Sequence, residues 1–449
     1  MELMFSGKEL KRLIIPLIIE QFLAVAVGMA DIVMVSAVGE SAVSGVSLVD
    51  TINVLLINIF AALATGGAVI TAQYLGKRDQ DNAHRSANQL ILSSGAISLA
   101  LMFIALIGNR AILQAIFGQV DSSVMRNARI YFFYTALSFP FLSLYNSCAA
   151  LFRAMGNSRV SMFTSLIMNI INIVGNAILI YGVGLGVAGI SIPTLVSRIV
   201  AAVIMLILIR KPIYVIHIDK FSFKFNFPMI RQILRIGIPN GMENSMFQIG
   251  KILVMSLIAS FGTAAIAANA VTMTVSGFAT IPGSAIGLAL VTIVGQCVGA
   301  GDYDQAVYYT KKMMKITITA LAFTNLFIFV FAPQIFTLYN LTPETKELAL
   351  KLIRYYNVMC IVFWPLSFTM ANPLRAAGDV KFTMVIAIIS MWIWRVGFSY
   401  VLGNTFGLGV FGVWVAMTMD WIFRGLAFTI RFLKGGWKDK QVITSNMPA

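Results

Sequence analysis

Apolar residues gather into twelve runs, roughly 13–38, 46–75, 88–108, 130–152, 160–182, 187–209, 236–261, 266–298, 314–332, 352–374, 382–402 and 408–430. About 20 apolar residues suffice to cross a bilayer as a helix, so each run is predicted to span one. Short polar or Gly-containing links join them, apart from one longer basic break at 210–235. Pro140, Pro193, Pro282-Gly283 and Pro365 fall inside runs, where a membrane tolerates them as kinks. The first run carries two carboxylates, Glu20 and Asp31, where a spanning helix ordinarily has none. Eleven steps at ~100° return to within about 20° of the start, so both acids share one face, roughly 16 Å apart along it. A charge in hydrocarbon is costly, so such acids normally face a bundle interior or a wet cavity.

The pattern repeats. A shift of 223 positions pairs Pro16 with Pro239, Glu20 with Glu243 and Gly39 with Gly262. It also pairs Gln73, Gly76, Asp79, Asp81 and Ala83 with Gln296, Gly299, Asp302, Asp304 and Ala306. A shift of 222 pairs Arg153, Gly156 and Met162 with Arg375, Gly378 and Met384, and GLGVAG at 184–189 meets GLGVFG at 407–412. Six helices per copy is an even number, so the second copy enters the membrane from the same side as the first. The fold class expected is therefore an all-α polytopic membrane protein, with 12 transmembrane helices in two parallel six-helix repeats around a central cavity. The domains follow as an N-terminal bundle at 1–209, a cytoplasmic connector at 210–235, a C-terminal bundle at 236–433 and a cytoplasmic tail at 434–449.

Composition agrees: the 449 residues are 59% hydrophobic and 11% charged, far from the roughly 25% charged of a soluble chain. The net charge of +15 is spread over short loops rather than gathered in a groove, which argues for membrane topology and against nucleic acid. With the N-terminus inside, inner segments hold 23 basic residues and outer loops six, placing both termini in the cytoplasm of a multi-pass plasma-membrane protein. Cys148, Cys297 and Cys360 are too few and dispersed for a disulfide framework. Neither His84 nor His217 has a Cys or His at metal-ligand spacing, and no HExxH, GxSxG, paired catalytic-aspartate motif or P-loop is present, so an enzyme is not expected.

The order of these pieces carries a resemblance. "MADIVMVS", "AQYLGKRDQDNAHRSA", "LFRAMGNSR", "NIINIVGNAILIYGVGLGVAG", "GQCVGAGDYDQA" and "LRAAGDVKF" lie on a 6 + 6 layout similar to the multidrug and toxic compound extrusion (MATE) family, across nearly the whole chain. The resemblance implies a secondary antiporter that exports organic, often cationic or amphipathic, compounds in exchange for H⁺ or Na⁺ by alternating access, as a monomer with no other cofactor. A lipid-linked-oligosaccharide flippase of the same superfamily is the alternative; twelve helices and few internal cations argue against it.

In the family, the acid near the end of the first helix belongs to a cation or proton site, which matches Asp31. Polar residues of the fifth and sixth helices match Asn172, Asn176 and Thr194. One carboxylate, two amides and a hydroxyl are the hard ligands that a small cation accepts. The same carboxylate in an apolar bundle suits a proton carrier. One branch places a second acid where this chain has Ile180. A site with a single anion favours H⁺ over Na⁺.

Glu20 joins this set as a further cation- or proton-binding candidate. Glu243 and Lys251, eight residues apart and too distant for a direct pair, are substrate-cavity candidates. Glu243 lies about one turn before the position usual in the family. Asp420 and Arg424, acid first and four apart, read as a structural ion pair. Arg198 and Arg395 have no evident partner in their own helices, and Asp50 reads as a hydrated residue near the outer face.

Overall fold

The computed structural model describes residues 3–118, 120–218, 222–339 and 341–443. Among them the chain forms helices and connecting turns. We number the long helices α1 (Gly7–Ser36), α2 (Glu40–Gly76), α3 (Gln80–Phe117), α4 (Ser122–Leu137 with Phe139–Ala154), α5 (Ser158–Gly182) and α6 (Ala188–Leu208). The series continues with α7 (Phe227–Ala259), α8 (Thr263–Ala279 with Ile281–Gly299), α9 (Tyr303–Thr337), α10 (Pro343–Ala376), α11 (Val380–Thr405) and α12 (Gly409–Leu433). Ten helices are individually long and apolar enough to cross a membrane, and α4, bent by 46° at Ser138, makes eleven. α7 falls short because Arg231, Arg235, Glu243 and Lys251 dilute its hydropathy. Pro140 and Pro282 stand at the starts of the second halves of α4 and α8, where a missing N–H costs least.

Several helices run past their apolar runs. α3 continues to Phe117 beyond the run ending at 108, and α4 starts at Ser122, ahead of the run at 130. α7 starts at Phe227, inside the stretch read as a connector ending at 235. Each of these extensions carries one or two arginines, which end the unbroken apolar run without ending the helix.

The chain divides into two compact units, Gly7–Gly241 and Met242–Ala449 with Met1–Ser6. The division thus falls within α7, and residues 3–6 group with the later unit. Residues 444–449 of the expected tail and 219–221 of the connector lie outside the described residues. In the first unit the opening turns of α7 press on α2: a Cβ at Gly66 would come within 2.5 Å of the Ile233 carbonyl oxygen, so only glycine permits this approach. The connector is gripped by α3. Asn88 donates to the Ser222 carbonyl at 2.9 Å and accepts from its N–H at 3.3 Å, while Gln89 donates to the Lys224 carbonyl at 2.9 Å and accepts from the Asn226 N–H at 2.9 Å. The same segment brings the rings of His84 and His217 to 5.0 Å, an encounter that sequence spacing does not reveal. No group of three or more metal-ligating side chains occurs among the described residues.

The repeat holds to the level of single dihedrals. Asp79 and Asp302 cap α3 and α9 with φ, ψ of −91°, 81° and −91°, 79°, each accepting from the N–H three residues on. Gly184 and Gly186, with φ of 73° and 60°, answer Gly407 and Gly409 at 68° and 58°. The π-helical turn Ile178–Gly182 recurs as Val401–Thr405. Two further π-helical segments of the second unit, Pro365–Thr369 and Met391–Gly397, fall where the first unit is α-helical.

Candidate functional site

In the first unit, Asp31 sits in the last turns of α1, against α5. Asn176 donates to Asp31 Oδ1 at 2.8 Å and to Asn172 Oδ1 at 3.2 Å, and Asn172 donates to Thr194 Oγ1 at 3.0 Å. The two asparagines are four apart on one face of α5, so a single helix aligns them. Thr194 returns its own hydroxyl proton to the Ile190 carbonyl, a turn earlier on α6. α5 and α6 meet closely at Gly175, where a Cβ would stand 2.7 Å from Pro193 Cβ. The π-helical turn that follows Asn176 adds one residue to the helix, as such turns often do beside functional side chains. Four of the five residues expected for the cation or proton site are thus brought together in one chain of hydrogen bonds.

Glu20 is not with them. Its Oε1 lies 3.4 Å from Arg153 Nη1, and its Oε2 accepts from Ser161 Oγ at 2.8 Å. Sharing a helix face with Asp31 places the two acids in the same direction, but their separation along the helix gives them different neighbours. Glu243 has the corresponding partner, Arg375, at 2.6 Å. Lys251 stands two turns further on, its Nζ 5.2 Å from the centroid of Phe247, so the two substrate-cavity candidates occupy different surroundings.

Sequence reasoning missed the second acid beside Asp31. Asp50 of α2 accepts from Tyr131 Oη at 3.0 Å and from Asn53 Nδ2 at 3.4 Å. Both Asp50 and Arg198 lie within electrostatic reach of Asp31. Ile180, buried, does leave the fifth helix without an acid, yet α2 supplies one. Arg198, which lacked an evident partner in its own helix, donates to Ser138 Oγ at 2.7 Å, at the bend of α4. Two carboxylates and one guanidinium leave this neighbourhood one negative charge in surplus.

The helix 12 pair forms as read, with Arg424 Nη2 3.3 Å from Asp420 Oδ2. Its surroundings are richer than an isolated pair. Arg395 of α11 reaches the same oxygen at 3.8 Å, and Ser390 donates to Asp420 Oδ1 at 2.6 Å. Arg395, which has no evident partner in its own helix, therefore finds one on α12.

Twelve long helices that repeat at a spacing of 223 residues, with buried polar groups in each half, fit a multi-pass transporter. The MatE family model matches residues 16–178 and again 239–401, a displacement of 223 residues at both ends, and the chain belongs to this multidrug and toxic compound extrusion family. It is 28% identical over 433 residues to the uncharacterized transporter YisQ of Bacillus subtilis, covering 95% of this chain and 94% of that one. With the probable multidrug resistance protein NorM of Thermotoga maritima the identity is 26% over 450 residues, covering 97% and 94%. A solved outward-facing multidrug resistance MATE transporter of the MOP superfamily superposes with a TM-score of 0.91 at 20% identity, over 97% of each chain.

Proposed function

We propose that the protein is a proton-coupled antiporter of the cytoplasmic membrane, both termini inside, that exports amphipathic organic compounds, with Asp31 as the group that carries the proton. The observation that supports H⁺ over Na⁺ is the orientation of the amide chain. Asn176 turns its NH₂ group to Asp31, and Asn172 turns its own to Thr194. A Na⁺ shell is built from oxygens directed at the ion, whereas here the amides direct N–H donors at the carboxylate and along the chain. Names of relatives such as the Thermotoga NorM support drug-like cargo. Charge loss at Asp31 then loosens its hold on α5, and α1, with Pro16 and Gly28, has two points at which to bend.

The deciding experiment is transport in inside-out vesicles with H⁺ and Na⁺ gradients imposed separately. Export that follows the proton gradient in Na⁺-free buffer is expected. Export that needs a Na⁺ gradient and survives collapse of the pH gradient would overturn the assignment.

A further inference from the structure

The second unit holds a cavity of about 190 Å³ lined by Lys251, Asn269, Met255, Arg395, Trp414 and Met417, among others. Its charge is unbalanced. Asp420 is shared by two guanidiniums, Arg424 at 3.3 Å and Arg395 at 3.8 Å, and no acid pairs with Lys251 among the described residues. Lys251, Arg395 and Arg424 all crowd the Phe247 ring, at 5.2, 5.0 and 5.6 Å from its centroid. Three cations and one anion leave two positive charges in surplus in a membrane interior, an arrangement that needs an anion to complete it.

The repeat shows this to be an inversion of the first unit's site. Counting 223 residues on from Asp31, Asn172, Thr194 and Asp50 gives Val254, Arg395, Met417 and Met273, and all four line the cavity. Each acid has become apolar, and an amide has become a guanidinium. Arg395 also lies on the π-helical segment Met391–Gly397, one of two such segments, with Pro365–Thr369, that fall where the first unit is α-helical. The neutral polar groups are already engaged: Asn269 Oδ1 accepts from Trp414 Nε1 at 3.0 Å. What remains free to meet a ligand is cationic and apolar.

We propose that this cavity binds a small organic anion, its carboxylate or sulfonate held by Lys251 and Arg395 and its ring or short chain laid against Trp414, Met255 and Met417. The size commits the ligand class, since drug-sized pockets begin at ~300 Å³ and this one admits a charged head with one or two rings. Methionine accommodates varied ring shapes, and guanidinium matches carboxylate geometry. The assignment rests on the transporter reading only for its consequence, export of anions; binding itself needs no gradient and no coupling ion.

The test is calorimetric titration of the purified full chain in neutral detergent with 2-naphthoate, and with 2-naphthylmethylammonium as its charge-reversed match. Naphthoate is expected to bind at least tenfold more tightly than the ammonium. Lys251→Gln and Arg395→Gln are each expected to weaken it by about tenfold or more, the loss of one charge-assisted contact, while Lys251→Arg retains it. Equal or tighter binding of the ammonium, or unchanged affinity in a well-folded Lys251→Gln protein, would overturn the proposal. So would displacement of naphthoate by phosphatidylglycerol at low mole fraction, which would assign the site to a lipid headgroup. Failure of H⁺ coupling at Asp31 leaves these affinities untouched, so the two readings fall separately.

Discussion

Arg375 holds Glu243 at 2.6 Å, and the same pair occurs a repeat earlier as Arg153 and Glu20 at 3.4 Å. Each acid stands four residues after a proline inside its helix, Pro16 in α1 and Pro239 in α7, and each arginine closes the last turn of a helix segment. The bridges therefore tie a proline-bearing helix to its neighbour in the same unit. They differ in one respect: Ser161 completes the shell of Glu20, whereas Glu243 Oε2 is buried with no hydrogen-bond partner. The residue corresponding to Ser161 is Thr383, whose hydroxyl donates to the Val380 carbonyl instead.

Removing the cation from a buried pair strands its anion, at a cost of about 3–5 kcal/mol. Arg375→Met is therefore expected to lower the thermal midpoint of the detergent-solubilised protein markedly, and Arg153→Met less so. Glu243→Gln combined with Arg375→Met should recover most of the loss. Thermal unfolding followed by tryptophan fluorescence reads all three. A double variant as unstable as Arg375→Met alone would contradict this account.

How much of this was legible in the sequence depends on what each signal measures. The repeat was legible because identities such as Gln73/Gln296 and Asp79/Asp302 fall where caps and tight turns restrict residue choice, and the caps indeed superpose in dihedral angle. The Asp420–Arg424 pair was legible because it lies within one helix turn. Asn172, Asn176 and Thr194 were placed beside Asp31 by family resemblance, since nothing in their spacing says which helix they face. Partners on other helices were not legible. Glu20 was grouped with Asp31 by helix face, yet Arg153, 133 residues away, decides its role. Asp50 was read as hydrated because it lies near the start of an apolar run, and only the packing of α4 on α2 brings Tyr131 to it. Helix ends were misjudged in α3, α4 and α7, where arginines interrupt the apolar run but not the helix.

Asp31→Asn retains the shape of the side chain and one hydrogen-bonding oxygen while removing the charge that draws the ion. Coupled export in everted vesicles is expected to vanish, with membrane insertion and detergent stability close to those of the unmodified protein. Normal transport rates from correctly inserted Asp31→Asn protein would remove this residue from the mechanism.

Asn88 and Gln89 together make four hydrogen bonds to the backbone of 222–226, and each amide both donates and accepts. Local opening of a segment is governed by such contacts rather than by global stability. Asn88→Ala combined with Gln89→Ala is expected to speed tryptic cleavage after Lys224 by roughly tenfold, the equivalent of losing about 1–2 kcal/mol of net hydrogen bonding. Cleavage at the unmodified rate, measured by mass spectrometry of the fragments, would show that the clamp does not hold the connector.

Asp50 and Arg198 pull in opposite directions on whatever cation Asp31 receives, since both lie within its electrostatic reach. Asp50→Asn leaves Arg198 facing Asp31 without its second counter-charge, so the local surplus falls from one negative charge to none. Arg198→Gln leaves two carboxylates together, and the surplus rises to two. Charges that interact within a protein interior are worth about a kilocalorie, several-fold in occupancy. With the driving proton concentration varied at fixed substrate load, the half-maximum for export is therefore expected to move to higher proton concentration in Asp50→Asn and to lower in Arg198→Gln. Glutamine retains a donor for Ser138 Oγ, the contact that Arg198 makes at the bend of α4, so the second variant tests charge rather than packing. Opposite displacements identify Asp50 and Arg198 as electrostatic partners of Asp31. Displacements of the same sign, or none, would show that the two residues only support the fold and that Asp31 works alone.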